Sequence, residues 1–382
     1  MNRREFTKLT AGLALAAPSL VHAQQTNSVI VIGAGAAGLT AAYHLKQAGV
    51  SVQVLEASDR WGGRVKRLTG FEDVPLDLGA EWIHGEDTLL GEILGQGETN
   101  PGMETITFDP QTYQFWNNGR LKDFNIARNF YAETKFRDTS WYGFFERFVL
   151  PSVQDAIRLN TPVSYIDSDG DGVTIRSSSG QNFTADRVIV TVPMSILRDR
   201  DITFSSQQAT RQLRDLNDVA FGKGYKVFLS FQERFYPDML LFGSRAQAFS
   251  TAYDSKIYYD AAFKKPTKSN ILGLFNVDHD TLPRVDLSDA QIIDAVLTEL
   301  TEIYGPDVRS GFIKAKVQNW NAEPFIRGSY SMTNNSDAWL KDILAPIEGK
   351  ISFAGEALGG DFQSTVHGAA FSAIEAIEMI YS

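Results

Sequence analysis

The 382-residue chain carries 36 Lys and Arg against 46 Asp and Glu, a formal net charge of −10, and it contains no cysteine. The lack of cysteine excludes disulfides, thiolate catalysis and cysteine-ligated zinc or iron–sulfur sites. The acidic charge disfavours nucleic-acid binding and weakly favours cationic ligands. The length predicts two domains, and no apolar run predicts a membrane anchor.

The first residues resemble an export signal. Arg3 and Arg4 precede an apolar stretch over 9–20, and small residues typical of a cleavage site end at Ala23. This pattern predicts a signal peptide over 1–23, and the paired arginines indicate the twin-arginine route. An uncleaved N-terminal helix is the alternative. We therefore expect a periplasmic or secreted protein that is exported folded.

The predicted elements of the mature chain follow in order. A strand over 28–32 leads through a glycine-rich turn into a helix that ends at Gly49, and a second strand covers 50–55. Together they form one βαβ unit with parallel strands. The later predictions are a helix over 141–147, strands over 163–166, 172–175, 187–192, 225–231 and 351–354, and helices over 292–303 and 369–380.

The turn of the βαβ unit has the spacing of a dinucleotide-binding fingerprint. Gly33 allows the tight turn, Gly35 lets the backbone approach a pyrophosphate, and Gly38 lets helix and strand pack closely. Ala37 stands between them at the helix start, where N–H groups and the helix dipole attract phosphate. Glu56, at the end of the second strand, is spaced to bond a ribose hydroxyl.

The segment after Glu56 separates FAD from NAD, which share this unit. It reads Arg60-Trp61-Gly62-Gly63-Arg64, a close backbone turn between two cations suited to a pyrophosphate. A surface loop with incidental arginines is the alternative. We interpret the segment as part of an FAD site to which Arg64 contributes.

These patterns predict an α/β fold in which a Rossmann-like FAD-binding domain is interleaved with an α+β substrate domain. The predicted FAD-binding domain comprises 28–85, 156–200 and 332–382. The predicted substrate domain comprises 86–155 and 201–331.

Four segments resemble the flavin-containing amine oxidases, which include monoamine oxidases, polyamine oxidases and lysine-specific histone demethylases. The resemblance runs from about Ser28 to the C-terminus and is weak between 86 and 155. Its specific parts are the glycine turn with Arg60–Arg64, the DLGAEWIHG segment over 77–85, FGKGYKVFL over 221–229, and the AGE and TVHGAA runs within 354–370.

The resemblance implies roles for particular residues. The implied flavin contacts, besides the glycine turn, are Gly79, Ala80, Glu81, Trp82, Val163, Trp320, Glu356, Thr365 and Val366. The implied catalytic residues are Lys226, which would hold a water against flavin N5, Tyr330 as an aromatic wall, and His84 near the substrate. Without the resemblance, Lys226 reads as a solvated edge lysine and His84 as a structural histidine.

Departures from the family pattern bear on cofactor attachment and substrate. Ser329 stands where covalent monoamine oxidases have cysteine, so we expect non-covalent FAD. Thr365 replaces one tyrosine of their two-tyrosine cage, and Tyr330 fits the other. The short 86–155 region leaves monoamines, polyamines, cyclic amines and amino acids open as substrates. The sequence predicts no oligomeric state.

The implied reaction is oxidation of an amine C–N bond, with hydride passing to flavin N5, hydrolysis of the imine and reduction of dioxygen to hydrogen peroxide. Two alternatives stay open: an FAD-dependent dehydrogenase or desaturase with another acceptor, and an inactive amine-binding relative. No metal site is predicted. The calcium-loop-like run 167–172 lacks the required glutamate at its twelfth position, and its flanking strands predict a hairpin turn.

Overall fold

The computed structural model describes residues 27–123, 132–242, 256–277, 284–332 and 337–381. The predicted signal peptide over 1–23 lies outside these ranges. Within them, no helix combines the length and the apolar character that crossing a bilayer requires.

The first sheet is parallel and carries the predicted βαβ unit. Its five strands lie in the order Ile157–Arg158, Ser51–Leu55, Ser28–Ile32, Arg187–Val190 and Ile351–Phe353. The helix Ala36–Gln47 connects the two strands that are consecutive in sequence. The three segments that build this sheet come from the start, the middle and the end of the chain, so the predicted interleaving is confirmed.

Alternate side chains of the central strand supply two separate cores, because successive residues of a strand point to opposite faces. Val29 and Val31 join a core with the helices Ala36–Gln47 and Val366–Tyr381. The helices Trp141–Phe148 and Leu150–Val153 pack into the same core. The opposite face, with Ile30 and Ile32, packs against the helices Met194–Arg198, Gln207–Gln212 and Asp337–Ile343.

A four-stranded sheet also covers this second face. Its strands lie in the order Asn182–Ala185, Val173–Ser177, Val163–Asp167 and Thr203–Phe204. The strands Val163–Asp167 and Val173–Ser177 pair antiparallel, which confirms the hairpin turn predicted for the aspartate-rich run between them.

A seven-stranded sheet forms the other half of the molecule. Its strands lie in the order Phe312–Asn319, Gly224–Phe231, Asn270–Val277, Lys256–Asp260, Met239–Phe242, Tyr113–Asn117 and Arg120–Asp123. Val227 and Leu229 pack under the helix Asp289–Tyr304. All eight residues of Gly224–Phe231 are buried, so the strand predicted to alternate is covered on both faces.

Short elements complete the described chain. A three-stranded sheet has the order Trp82–Ile83, Glu133–Phe136 and Thr105–Phe108, and two strand pairs join Arg67–Leu68 to Leu76–Asp77 and Ala220–Phe221 to Ser331–Met332. The short helices are Leu89–Ile93 and Asp307–Gly311, with 3₁₀ turns at Gln154–Ala156, Leu213–Asp218, Trp320–Ala322, Glu356–Leu358 and Gly360–Phe362. The fold class is as predicted, whereas the domain boundaries stay a prediction.

Candidate active site

One large cavity lies between the first sheet and the seven-stranded sheet. Its volume is about 1540 Å³, and its lining runs from Glu56 and Val163 at one end to Met239 and Phe275 at the other. Pockets for drug-sized ligands are typically ~300–1,000 Å³. The cavity therefore has room for a dinucleotide and a small substrate together.

The three glycines of the turn meet three different demands. Gly33 has φ +106°, which disfavours other residues, and a Cβ there would lie 2.8 Å from Thr191 Oγ1. A Cβ on Gly38 would lie 1.9 Å from the Gly33 carbonyl oxygen, so helix and turn are in backbone contact. A Cβ on Gly35 would have no neighbour within 4 Å, because Gly35 borders the cavity. These positions match the predicted roles in a dinucleotide turn.

Glu56 is held rigidly at the cavity wall. Its carboxylate accepts hydrogen bonds from the Ala34 N–H at 2.7 Å and from the Ser58 N–H and hydroxyl at 2.9 and 2.7 Å. The carboxylate has four lone-pair sites, so it keeps acceptor capacity for a ribose hydroxyl.

The two arginines of the next turn differ in role. Arg60 donates to the Gly63 carbonyl at 2.8 Å and so stabilises its own loop. Arg64 donates to the Ser329 carbonyl at 2.9 Å and to Glu356 Oε1 at 3.0 Å. Arg64 therefore ties the N-terminal turn to two later segments at the cavity wall.

Glu356 provides a test of whether a polar cofactor fits. Its Oε1 accepts from Arg64 and from the Ser331 N–H and hydroxyl, whereas its buried Oε2 has no partner among the described protein atoms. A buried acceptor without a partner is costly, which indicates a missing donor. Together with the open space at Gly35, this feature fits a dinucleotide that bears hydroxyl groups.

The structure gathers the predicted site residues around this cavity. Those that line it are Gly33, Gly35, Ala37, Glu56, Arg64, Gly79, Ala80, Glu81, Trp82, His84, Val163, Lys226, Trp320, Tyr330, Glu356, Thr365 and Val366. Gly38 lies behind the wall, in the helix contact described above. Whether each residue plays its predicted role stays a prediction.

The start of the last helix is capped by Thr365. Thr365 Oγ1 accepts from the Gly368 N–H at 3.0 Å and donates to the Phe362 carbonyl at 2.7 Å. This is an N-cap, which satisfies the third amide of the helix. The Gly368 N–H is therefore already bonded within the chain.

Lys226 is buried, so its interpretation as a solvated edge lysine is wrong. Its side chain is 3% exposed, and it points away from the face of Val227 and Leu229 as the strand alternation predicts. Its Nζ lies 2.5 Å from Glu81 Oε2 and donates to the carbonyl oxygens of Asp77 at 2.8 Å and Gly79 at 3.1 Å.

Glu81 is the centre of a buried charge cluster that comprises Asp77, Glu81, Lys135, Lys226 and Lys265. Glu81 Oε1 lies 2.5 Å from Lys135 Nζ, and its Oε2 accepts from Lys226 and from the Tyr259 hydroxyl, both at 2.5 Å. Of the cluster, Glu81 and Lys226 reach the cavity.

Burial and mutual charge shift the pKa values in this cluster. Burial raises the pKa of Asp77 to about 7, with the negative charge of Glu81 adding to the effect. Burial would also raise the pKa of Glu81, but Lys135 and Lys226 outweigh it and hold that pKa well below its ordinary value. Burial lowers the pKa of Lys226, partly opposed by Glu81.

Two histidines lie near the rim of the cavity. His84 is about half exposed, and its Nδ1 lies 3.0 Å from Glu133 Oε1, so the ring is oriented by a carboxylate. His367 packs against Phe362 and is fully buried, with both ring nitrogens lacking a hydrogen-bond partner among the described atoms. Burial lowers the pKa of His367 to about 3, so this ring is neutral at physiological pH.

The sequence alone did not indicate several residues of this site. Lys135 and Glu133 come from the weakly patterned 86–155 region, and Tyr259 from a strand of the seven-stranded sheet. Nothing in the local pattern marks a lysine on the strand Glu133–Phe136 as buried. The contacts with Glu81 arise only when the two strands Trp82–Ile83 and Glu133–Phe136 pair.

A glycine turn on a parallel sheet and a buried lysine across the cavity define a dinucleotide-dependent oxidoreductase. The chain belongs to the flavin-containing amine oxidase family, since the family profile described as "Flavin containing amine oxidoreductase" matches residues 36–148 and 151–378. The resemblance seen in the motifs is thus confirmed, as are the enzyme class and a flavin cofactor.

Relatives in sequence are distant but extensive. Human lysine-specific histone demethylase 2 is 25% identical over 433 residues, which cover 91% of this chain and 52% of the demethylase. Polyamine oxidase 4 of Oryza sativa subsp. japonica is 26% identical over 438 residues, which cover 92% of this chain and 88% of that protein. The chain therefore spans about half the length of the demethylase and most of the polyamine oxidase.

Solved structures share the fold. A putrescine oxidase redesigned in its cofactor binding has a TM-score of 0.74 at 17% identity, covering 93% of this chain and 99% of its own. Cyclohexylamine oxidase from Brevibacterium oxydans IH-35A has a TM-score of 0.74 at 17% identity, covering 94% and 99%. These similarities establish the two-domain architecture.

Proposed function

We propose that this enzyme binds FAD non-covalently and oxidises the C–N bond of a small amine, with dioxygen as the electron acceptor. The observation that carries the proposal is one continuous cavity that extends from Gly35 to buried Lys226. The Gly35 end has room for a dinucleotide, and the Lys226 end has room for a small molecule.

Residues of three chain segments would hold FAD. Gly35 and the helix start at Ala37 would meet the pyrophosphate, Glu56 a ribose, and Glu356 the hydroxyl-bearing chain next to the flavin ring. Ser329, in the place of the cysteine of covalent relatives, donates to the Gly222 carbonyl at 3.0 Å, which supports non-covalent binding. The bound flavin supplies a two-electron acceptor beside the substrate carbon.

The residues of the chain would prepare the amine. The substrate end is lined by apolar side chains on the seven-stranded sheet, namely Met239, Leu241, Ile257, Phe275 and Val277. Burial against them and Tyr330 disfavours an ammonium, so it lowers the pKa of a bound amine and favours the neutral form that can be oxidised. The imine product then hydrolyses to an aldehyde or ketone.

The substrate class follows from the same lining. Apolar walls accept an alkyl chain or ring, which supports small alkyl amines over highly polar amino acids. The names of several relatives agree, since they include polyamine, putrescine and cyclohexylamine oxidases. Small alkyl amines are therefore the first substrates to test.

A spectroscopic screen tests the proposal. Protein comprising residues 24–382 should purify yellow or take up FAD, and acid precipitation should release the flavin. When the protein is mixed anaerobically with an alkyl monoamine, a diamine or a cyclic amine, the visible absorbance of its flavin should decrease. Air should restore the colour with release of hydrogen peroxide.

Each failure of the screen has a distinct meaning. Bleaching without peroxide would favour the dehydrogenase or desaturase with another acceptor, and no bleaching by any amine would favour the inactive relative. Protein that takes up no FAD would reject the proposal outright.

Lys226→Met probes the catalytic end of the cavity. Loss of the ammonium next to the flavin should slow air reoxidation by ~10²-fold or more, the usual contribution of a positioned proton-transfer group, while FAD stays bound. Reoxidation at the rate of the unaltered protein would reject this role for Lys226.

Export by the twin-arginine route is also proposed, on the pattern at Arg3 and Arg4. Replacing both arginines by lysine should retain the full-length precursor in the cytoplasm of a bacterial host. Unchanged processing would point to another route.

A further inference from the structure

Lys135 stands out among the charged residues that do not reach the cavity. It is 1% exposed, and aromatic rings of Trp82, Phe108 and Tyr259 surround its ammonium at 4.9–5.5 Å. Its ion pair with Glu81 at 2.5 Å lacks the alignment of a hydrogen bond. A lysine this deep in a protein is costly unless it is paired, so its one carboxylate contact matters.

The charges around Glu81 do not cancel. One carboxylate lies at 2.5 Å from two ammonium groups, those of Lys135 and Lys226. Without Lys135, Glu81 and Lys226 would form a neutral pair at the cavity wall. With it, the negative charge of Glu81 is divided between two cations, and this group of three residues carries one net positive charge beside the cavity.

We propose that Lys135 is a positioning residue that acts through Glu81 to keep the cavity wall at Lys226 positively charged. This inference rests on the proposed flavin site. A positive wall stabilises the negative charge that a flavin gains on reduction, and it disfavours the protonated form of an amine substrate. Asp77 and Lys265, the other members of the cluster, are left unaltered in the test below, and at about pH 6 Asp77 is mainly protonated because burial raises its pKa to about 7.

The test measures the midpoint potential of the bound flavin, which does not depend on turnover. Four variants are compared at about pH 6: Lys135→Met, Lys135→Arg, Glu81→Gln and the double variant Lys135→Met/Glu81→Gln. Methionine has nearly the length of lysine without its charge, and arginine keeps the charge. Circular dichroism checks that each variant is folded.

The charge count predicts opposite shifts. Lys135→Met should move the potential to more negative values, and Glu81→Gln should move it to more positive values. The double variant should return toward the unaltered protein, and Lys135→Arg should stay near it. Damage to packing alone would not give shifts of opposite sign that cancel.

Several outcomes would overturn the inference. These are an unchanged potential in flavin-bound Lys135→Met, a shift of the same sign in both single variants, or a double variant equal to Glu81→Gln. If the single variant Lys135→Met does not fold, the midpoint potentials of the double variant and of Glu81→Gln still test the inference. An unaltered protein that binds no flavin would instead overturn the proposed function, and this inference with it.

Discussion

Asp77 lies in an environment that its local sequence does not indicate. It lies in the short strand Leu76–Asp77, just before Gly79. Its side chain is 3% exposed, and its Oδ1 has no partner among the described atoms. Burial and Glu81 raise its pKa to about 7, against ~3.9 in an unfolded chain. Between these two pH values the folded protein binds a proton that the unfolded chain does not, so stability falls as pH rises across this range.

Asp77→Asn tests that pH dependence. Near pH 4 both side chains are neutral, and the variant and the unaltered protein should be about equally stable. As pH rises toward 7 and above, the variant should become the more stable, because the aspartate must then ionise inside the fold. Each unit between the folded and unfolded pKa corresponds to about 1.4 kcal/mol. Urea unfolding at several pH values measures the difference.

Glu81→Gln is the matched control for Asp77→Asn. The pKa of Glu81 is lowered in the folded protein. Its contribution to the free energy of unfolding is therefore present above the unfolded pKa of ~4.3 and is lost as pH falls. The two variants should therefore show pH dependences of opposite sign. A pH-independent difference for Asp77→Asn would contradict the raised pKa.

Residues of the site were predictable to different degrees. The glycines and Glu56 belong to a local dinucleotide-binding motif, whereas Lys226 was assigned to the site only through the family resemblance. Lys135 and Tyr259 carry no motif, because their significance lies in contacts with Glu81 across paired strands. The burial of Lys226 itself also depends on these contacts, which is why the sequence left it open.

At the scale of elements, the start of the helix Ala36–Gln47 has two glycines in different environments. Gly38 is in backbone contact with Gly33, whereas Gly35 borders open space with an ordinary φ of −79°. We predict that Gly38 serves the packing of the fold and that Gly35, three residues before it, serves the cofactor. Substitution of each by alanine should separate these roles.

Gly38→Ala should cost about 3 kcal/mol of stability or more, since a rigid backbone atom blocks the added methyl and overpacking typically costs ~1–3 kcal/mol. Gly35→Ala should change apoprotein stability by less than about 0.5 kcal/mol, as no contact is made. It should instead weaken FAD binding by about tenfold or more, because the methyl occupies the approach of the pyrophosphate. Denaturant unfolding and FAD titration of both variants measure this contrast.

The opposite pattern, a stable Gly38→Ala or a Gly35→Ala with normal FAD affinity, would contradict the assigned contacts.

The βαβ unit was predictable because its strand and helix periods and its glycine spacing are local. The strand Gly224–Phe231 was predicted in position but not in burial, because its second face is covered by the distant segment 76–79.

At the scale of the whole molecule, the cavity joins segments that are far apart in sequence. Arg64 contacts Glu356 and the Ser329 carbonyl, so an early and a late segment of the chain meet at the wall of the cavity. A ligand bound there would contact all of them only in the folded state. Binding should therefore stabilise the fold as a whole.

Addition of FAD to the apoprotein should raise the unfolding temperature in a concentration-dependent way. At a free FAD concentration 100 times the dissociation constant, the expected stabilisation is about 2.7 kcal/mol. Arg64→Ala should reduce the effect by weakening the wall and the affinity, whereas Arg309→Ala, a surface ion pair with Asp294, should not. Equal stabilisation in both variants would show that Arg64 does not support the site.

The sequence by itself determined the dinucleotide turn, the family and the interleaved order of the two domains. The dinucleotide turn depends on residues close together in the chain, whose spacing dictates a local backbone shape. The family and the domain order follow from short motifs of this kind at several places along the sequence. Only the tertiary structure decided the charge state and the surroundings of the site. Asp77 and Glu81 come from one segment, Lys135 and Lys226 come from two others, and their burial and mutual charges exist only once these three segments pack together.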